Sequence, residues 1–332
     1  MSADLVVASL ARALVVLLTT LIGVLYMALF FERKVVAWAQ SRLGPMRVGP
    51  YGTLQPIADV LKLMVKEDIT PSRADRRMFA AAPILAVVPA LVAYAVIPFS
   101  ADFWVADINV GILYIVATAS IGVYGVILAG WSSNSKYPLL AGLRASAQLI
   151  SYEIAAGLAI VSMVLTSGTL SLIGIVHAQA DAKLWFGFVQ PVALAIFVIA
   201  GLAEANRLPF DMAEAEQELT GGFHTEYSGM RMALFLLAEY ASMITVALVA
   251  TTMFFGGWLR PFPSVEWLGF LDAMPGWMWL LLKTFCLLFG FVWIRATLPR
   301  YRYDQLMRIS WKALIPLAIV NILMTATIKV AV

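Results

Sequence analysis

Long apolar runs alternate along the chain with short polar stretches. Bounded by charges and by Gly or Pro, the runs predict eight helical spans at about 13–31, 78–99, 110–131, 143–168, 188–203, 230–255, 277–296 and 309–330. Several approach or exceed the roughly 20 residues that carry a helix across a ~30 Å hydrocarbon core. The fifth run is short and the last contains Lys312. The first lacks a convincing cleavage site and meets Glu32, Arg33 and Lys34 at once, so it reads as a retained span and not a signal peptide. The expected fold is an all-α polytopic membrane protein: one integral membrane domain, eight transmembrane helices, an interfacial amphipathic helix in the first cytoplasmic loop, and no β domain.

That amphipathic helix is written between two loop features. Gly44-Pro45 and Gly49-Pro50 set tight turns, after which Leu54, Ile57, Ala58, Leu61, Met64 and Val65 follow i, i+3, i+4, i+7 spacing. Gln55, Asp59, Lys62 and Lys66 take the polar face. Such a helix lies in the membrane interface with its apolar side down. The spacing suits a plain surface helix with lysines against anionic headgroups, and equally a lintel over a lateral opening that admits an amphipathic ligand.

Composition confirms the setting: 62% of the 332 residues are hydrophobic and 13% charged, with a mean hydropathy of +0.87. Charge then gives orientation. The connections 32–77, 132–142, 204–229 and 297–308, with flanking Arg144, Arg231, Arg295 and Lys312, hold 18 of the 23 Lys and Arg residues. By the positive-inside rule this side is cytoplasmic and both termini face the opposite compartment. The net charge of +3 follows that topology and implies no nucleic-acid partner. Trp131, Trp258, Trp277 and Trp311 fall near expected interfaces.

Several chemistries are excluded. The single cysteine, Cys286, makes no intrachain disulfide and supplies one of the four thiolates an iron–sulfur cluster takes. His177 and His224 fall in loops on opposite sides, so they hold no common metal or haem. No glycine-rich phosphate loop stands in a strand–turn–helix context. Redox centres therefore belong to a partner.

The carboxylates are the unusual feature. Glu204, Asp211, Glu214, Glu216, Glu218 and Glu226 crowd one connection on the side that favours positive charge, with Arg207 the only base among them. Asp211 and Glu214 also read as a capping box, and a solvated acidic face is the bland alternative. Crowded carboxylates share protons near neutral pH. Glu153 and Glu239 sit some ten residues inside their spans, where an ionisable group marks an ion or proton path or else a paired structural network. Lys283 lies nearer a span end and reads as a snorkelling lysine.

Longer motifs carry a family resemblance. Glu32-Arg33-Lys34, the stretch from Arg42 to Gly52, Leu54–Asp59 with Lys62 and Lys66-Glu67, and Gly130–Asn134 are among them. Further matches are Arg144–Gln148, Ser151-Tyr152-Glu153, Ala203-Glu204, Asn206-Arg207, Pro209–Asp211, Glu214–Glu216, Glu226–Gly229 and Pro299–Gln305. With these motifs the chain resembles the H-subunit family of NADH:quinone oxidoreductase, the quinone-chamber component of respiratory complex I, over almost its whole length. The resemblance implies that Glu32, Arg33 and Arg47 shape a quinone passage. It places Ala58, Asp59 and Lys62 at the membrane entrance, and Phe223 and Arg295 on the chamber wall. It also implies an acidic path for protons through Glu32, Glu153, Glu204, Asp211, Glu214, Glu216, Glu218, Glu226 and Glu239. Quinone is then the substrate and this chain binds no cofactor. FMN and iron–sulfur clusters belong to soluble quinone-reducing subunits on the cytoplasmic side, and small and antiporter-like membrane subunits lie alongside. A start unlike a transit peptide fits a bacterial inner membrane, and equally an organelle-encoded chain of an organellar inner or thylakoid membrane. The readings that compete are a homologous subunit of an energy-converting hydrogenase-type complex and a free-standing ion transporter.

Overall fold

The computed structural model describes residues 3–212, 221–262 and 266–331. Every regular element among them is helical. Helix α1 (Ala3–Tyr26) runs through a π turn at Met27–Phe31 straight into α2 (Glu32–Ala39). Glu32, Arg33 and Lys34, expected in a connection, therefore extend the first helix. The reason is local: no Gly or Pro follows until Gly44, so the charges alone do not stop the helix.

The amphipathic segment forms α3 (Gln55–Val65) with Pro56 in its first turn, a position that tolerates proline because its N–H has no helical partner. Then come α4 (Arg76–Val92), α5 (Gly111–Ser132), α6 (Lys136–Ser167), α7 (Leu172–Asp181), the single turn α8 (Phe186–Val189) and α9 (Pro191–Glu204). The chain closes with α10 (Gly229–Phe254), α11 (Gly276–Thr297), α12 (Tyr303–Ile309), a π turn at Ser310–Leu314, and α13 (Ile315–Ala331).

Seven of the described helices are long and apolar enough to cross a membrane. The fifth expected span falls instead on α9, whose 14 residues rise about 21 Å, short of a ~30 Å core. Helices α4, α5, α6, α9 and α10 form the centre, while α1 and α13 lie at the margins with much of their apolar surface uncovered. Close approach needs glycine at Gly125, where an added Cβ would stand 2.7 Å from the Ala86 nitrogen of α4.

Prolines and glutamines set the inner connections. Pro83 within α4 leaves the Phe79 carbonyl without its usual helical donor. Tyr227 supplies one, its hydroxyl 3.2 Å away, and its ring stacks on Phe79 at 3.9 Å. Burial pushes that phenol up to about 12, which keeps it a neutral donor. Gln148 of α6 donates from one amide to the Ala203 and Phe210 carbonyls at 2.8 and 2.7 Å, fastening the segment after α9.

At the opposite end Lys283 does not snorkel. Its ammonium donates to the carbonyls of Phe255, Gly257 and Leu259 at 2.6–3.0 Å and so closes the C-terminus of α10. Trp131 and Trp277 are exposed at helix ends and Trp311 is exposed in the π turn at Ser310–Leu314, but Trp258 is buried edge-on against His177.

Candidate functional site

At the bundle end that carries the 40–75 connection, a cavity of about 940 Å³ opens between α1, α2, α3, α10 and Arg295 of α11. Most of its wall is aliphatic, as at Leu21, Leu25, Val60, Leu63, Leu234 and Leu237. Its polar groups are few: Glu32, Arg33, Arg42, Arg207, Tyr240 and Arg295. Arg295 is ion-paired with Glu32, a carboxylate that is only 7% exposed. Arg33 pairs with Asp59 at 2.6 Å, and Gln55 donates to the other oxygen of Asp59, which ties α2 to α3.

A second cavity of about 70 Å³ lies on the other side of α10. Glu153, Glu204, Glu239, Asn206 and Ser242 face it, together with Phe223 and Phe235. One oxygen of Glu153 is buried without a hydrogen-bond partner among the described residues. The two cavities divide α10 by helical periodicity: residues 233, 234, 236, 237 and 240 face the first, and 235, 238, 239 and 242 the second. Arg207 bridges the partition. It faces the larger cavity, lies 4.0 Å over the Tyr240 ring, and reaches Glu239 at 3.4 Å, with both partners of the ion pair buried.

Among the residues singled out in the sequence, Glu32, Arg33 and Arg295 meet at the larger cavity, and Glu153, Glu204 and Glu239 at the smaller one. Phe223, which the resemblance puts on a chamber wall, faces the smaller cavity. It is fully buried edge-on to Phe235 and stands on the carboxylate cavity, not on the larger chamber. Its neighbours explain this: the turn at Gly222–His224 packs against α5 and α6, behind α10. Arg47 is exposed in the connection, and the chamber wall there is made by Arg42–Pro45. On α3 the wall residues are Val60 and Leu63; Ala58 is half-buried and Lys62 exposed. Asp211 is half-buried beside Arg300, which donates to its carbonyl, and Glu226 is half-buried on neither cavity. Glu214, Glu216 and Glu218 lie outside the described residues.

Arg207, Tyr240 and Gln148 stand at or beside the two cavities although the sequence pattern gave none of them a site role. Each had a signal: a lone base among carboxylates, an aromatic next to a buried acid, and an amide well inside a span.

No group of His, Cys, Asp or Glu suited to a metal ion occurs among the described residues. The fold and the site together define a multi-pass membrane protein with an ion-paired chamber beside a carboxylate cavity. The family model for NADH dehydrogenase matches residues 11–326, and the chain belongs to that family. It is 52% identical to an NADH-quinone oxidoreductase H-subunit of Geobacter sulfurreducens over 338 residues, covering 96% of this chain and 94% of the relative. It is 51% identical to the NADH-quinone oxidoreductase H-subunit of Rickettsia prowazekii over 299 residues, covering 90% and 87%.

Proposed function

We propose that this chain is the membrane subunit of a proton-translocating NADH:quinone oxidoreductase, with the 940 Å³ chamber as its quinone passage and the carboxylate cavity as part of its proton path. The observation that carries this is the shared wall, where Arg207 on the chamber side holds Glu239 on the carboxylate side. The chamber's size falls within the roughly 300–1,000 Å³ of small-molecule sites, and its aliphatic wall with few convergent charges suits an amphipathic ring on an apolar tail. Helix α3 borders the lateral side with Ile57, Leu61 and Met64 exposed, a surface matched to lipid. On this reading Arg33, Asp59, Ala58 and Lys62 frame the entrance and Arg47 lies at its outer rim.

Reducing a quinone to quinol takes two electrons and two protons. The electrons come from the flavin and iron–sulfur chemistry of soluble partner subunits docked at the basic end, which faces the cytoplasm. This chain contributes the site and the charges. Glu32 and Arg295 hold the chamber's polar end, and any anionic character on the quinone competes with Glu239 for Arg207. Release of Glu239 changes the proton affinity of the carboxylates beyond the partition, and antiporter-like membrane subunits alongside receive that signal.

The test is photo-crosslinking in native membranes with a photoreactive quinone analogue, followed by peptide mapping. Label within 21–45 or 230–240, competed by excess quinone, is the expected result. Label confined to other subunits, with this chain present in the assembly, overturns the assignment.

A further inference from the structure

Beyond the carboxylates lies a third cavity, also about 70 Å³, which shares Ala119, Glu153, Glu204 and Ser242 with the second. It extends toward the far end of the bundle, from residue 153 to 160 on α6, 242 to 249 on α10 and 119 back to 112 on α5. Each stretch is seven residues of helix, a column of about 10 Å. Past Ser242 and Thr245 its wall is apolar: Ile112, Ile115, Ile160, Val246 and Val249. Ile112, at that end, donates its amide to the Leu170 carbonyl at 3.2 Å, and α7 just beyond packs on α6 and α10 with Leu172, Ile175 and Val176 buried.

We infer that this column is a hydrophobic seal that keeps protons on Glu153 and Glu204 from crossing to the far side. The inference rests on the proton-path reading of those carboxylates. Water needs two to four polar partners to stay in a cavity, and the wall beyond Thr245 offers none. An apolar constriction of this kind blocks conduction by excluding water, although the space would admit it. The carboxylates can therefore exchange protons with the chamber side while the same cavity stays closed behind them. A coupling site needs that asymmetry, since a path wetted at both ends would discharge the gradient it builds.

The test uses the intact assembly purified from native membranes and sealed into liposomes without NADH or quinone. A valinomycin potassium potential drives passive proton entry, read by a trapped pH dye. Ile160→Asn and Val249→Asn should raise that leak about tenfold or more by wetting the column, and Ile160→Val should not. Adding Glu204→Gln to Ile160→Asn should abolish the extra leak. An unchanged leak in assembled Asn variants overturns the seal, as does a leak indifferent to Glu204→Gln. Where the Asn variants fail to assemble, Ile160→Cys and Val249→Cys replace them in a Cys286→Ser background. Both thiols should resist a water-soluble methanethiosulfonate cation from either face while Asp102→Cys reacts; ready labelling of Val249→Cys overturns the proposal. The proton-path reading is judged separately by Glu204→Gln alone, through NADH-driven pumping in the same vesicles. The seal and the path can thus fail independently.

Discussion

The Arg207–Glu239 pair gives the sharpest test of the partition. At 3.4 Å, with both side chains less than a tenth exposed, the attraction is about 5 kcal/mol at an effective dielectric of about 20. Desolvation cancels much of this, so the pair as a whole adds little net stability; removing one partner leaves a buried charge and costs about 3–5 kcal/mol. Glu239→Gln and Arg207→Met should each lower the thermal midpoint of the assembled protein and its yield in membranes. The double variant removes both charges and should recover most of the loss, giving a coupling energy above about 2 kcal/mol in a double-mutant cycle. Function should separate from stability in that double variant. If the pair only braces the 205–212 segment against α10, neutralising both ends restores protons pumped per NADH oxidised along with the midpoint. If it transmits charge through α10, the midpoint recovers and the pumping ratio does not. The measurements are a thermal shift on the purified assembly and dye-reported pumping against NADH absorbance. Additive single-variant losses, or a Glu239→Gln protein as stable as the parent, would refute the reasoning.

Three further outcomes follow from the geometry. Gln148→Leu strips donors from two buried carbonyls at about 1–3 kcal/mol each, so it should free the segment after α9 and speed its limited proteolysis. Lys283→Met removes a cation from three carbonyls at the end of α10 and should cost upwards of about 2 kcal/mol, read as a fall in thermal midpoint with the pumping ratio intact. Arg33→Ala breaks a pair whose arginine is 45% exposed, so the stability change stays below about 1 kcal/mol while the KM for quinone rises with little change in kcat.

What the sequence makes legible is whatever depends on periodicity and burial cost. Apolar runs place the long helices, and the spacing from Leu54 to Val65 places α3 with its exposed apolar stripe. Glu153 and Glu239 stand out because ionisable groups in a span are expensive, and both meet at one cavity. Boundaries were less legible. Charge at Glu32–Lys34 marks an interface, but a helix ends only where the backbone is stopped, so α2 runs on. The surroundings of Phe223 and Lys283 are illegible for another reason. Where a side chain points from a turn, or whether a lysine finds three carbonyls before it finds water, depends on packing between segments far apart in the chain. Arg207 is the same case: it lies in the segment after α9, and its partner is 32 residues away on α10.

Helix α10 shows how such an arrangement comes from simple means. A helix turns 100° per residue, so residues three and four apart share a face while neighbours such as Glu239 and Tyr240 part by a sizeable angle. An apolar helix needs only a few polar substitutions to carry distinct chemistry on its two sides. Here Tyr240 joins the chamber with Leu237 and Leu234, and Glu239 joins the carboxylates with Ser242 and Phe235. The sides differ in what they tolerate. As a quinone passage the chamber needs volume and a lateral opening, so on the proposed function small changes among its aliphatic residues alter fit. The carboxylate side is close-packed, so each polar group there must be paired, hydrated or neutral. Arg207, arriving from the 205–212 segment and not from α10 itself, can shift its charge without moving the partition. On the proposed function, a ligand in the chamber changes the electrostatics of the carboxylates through Arg207, while the helix between them stays in place.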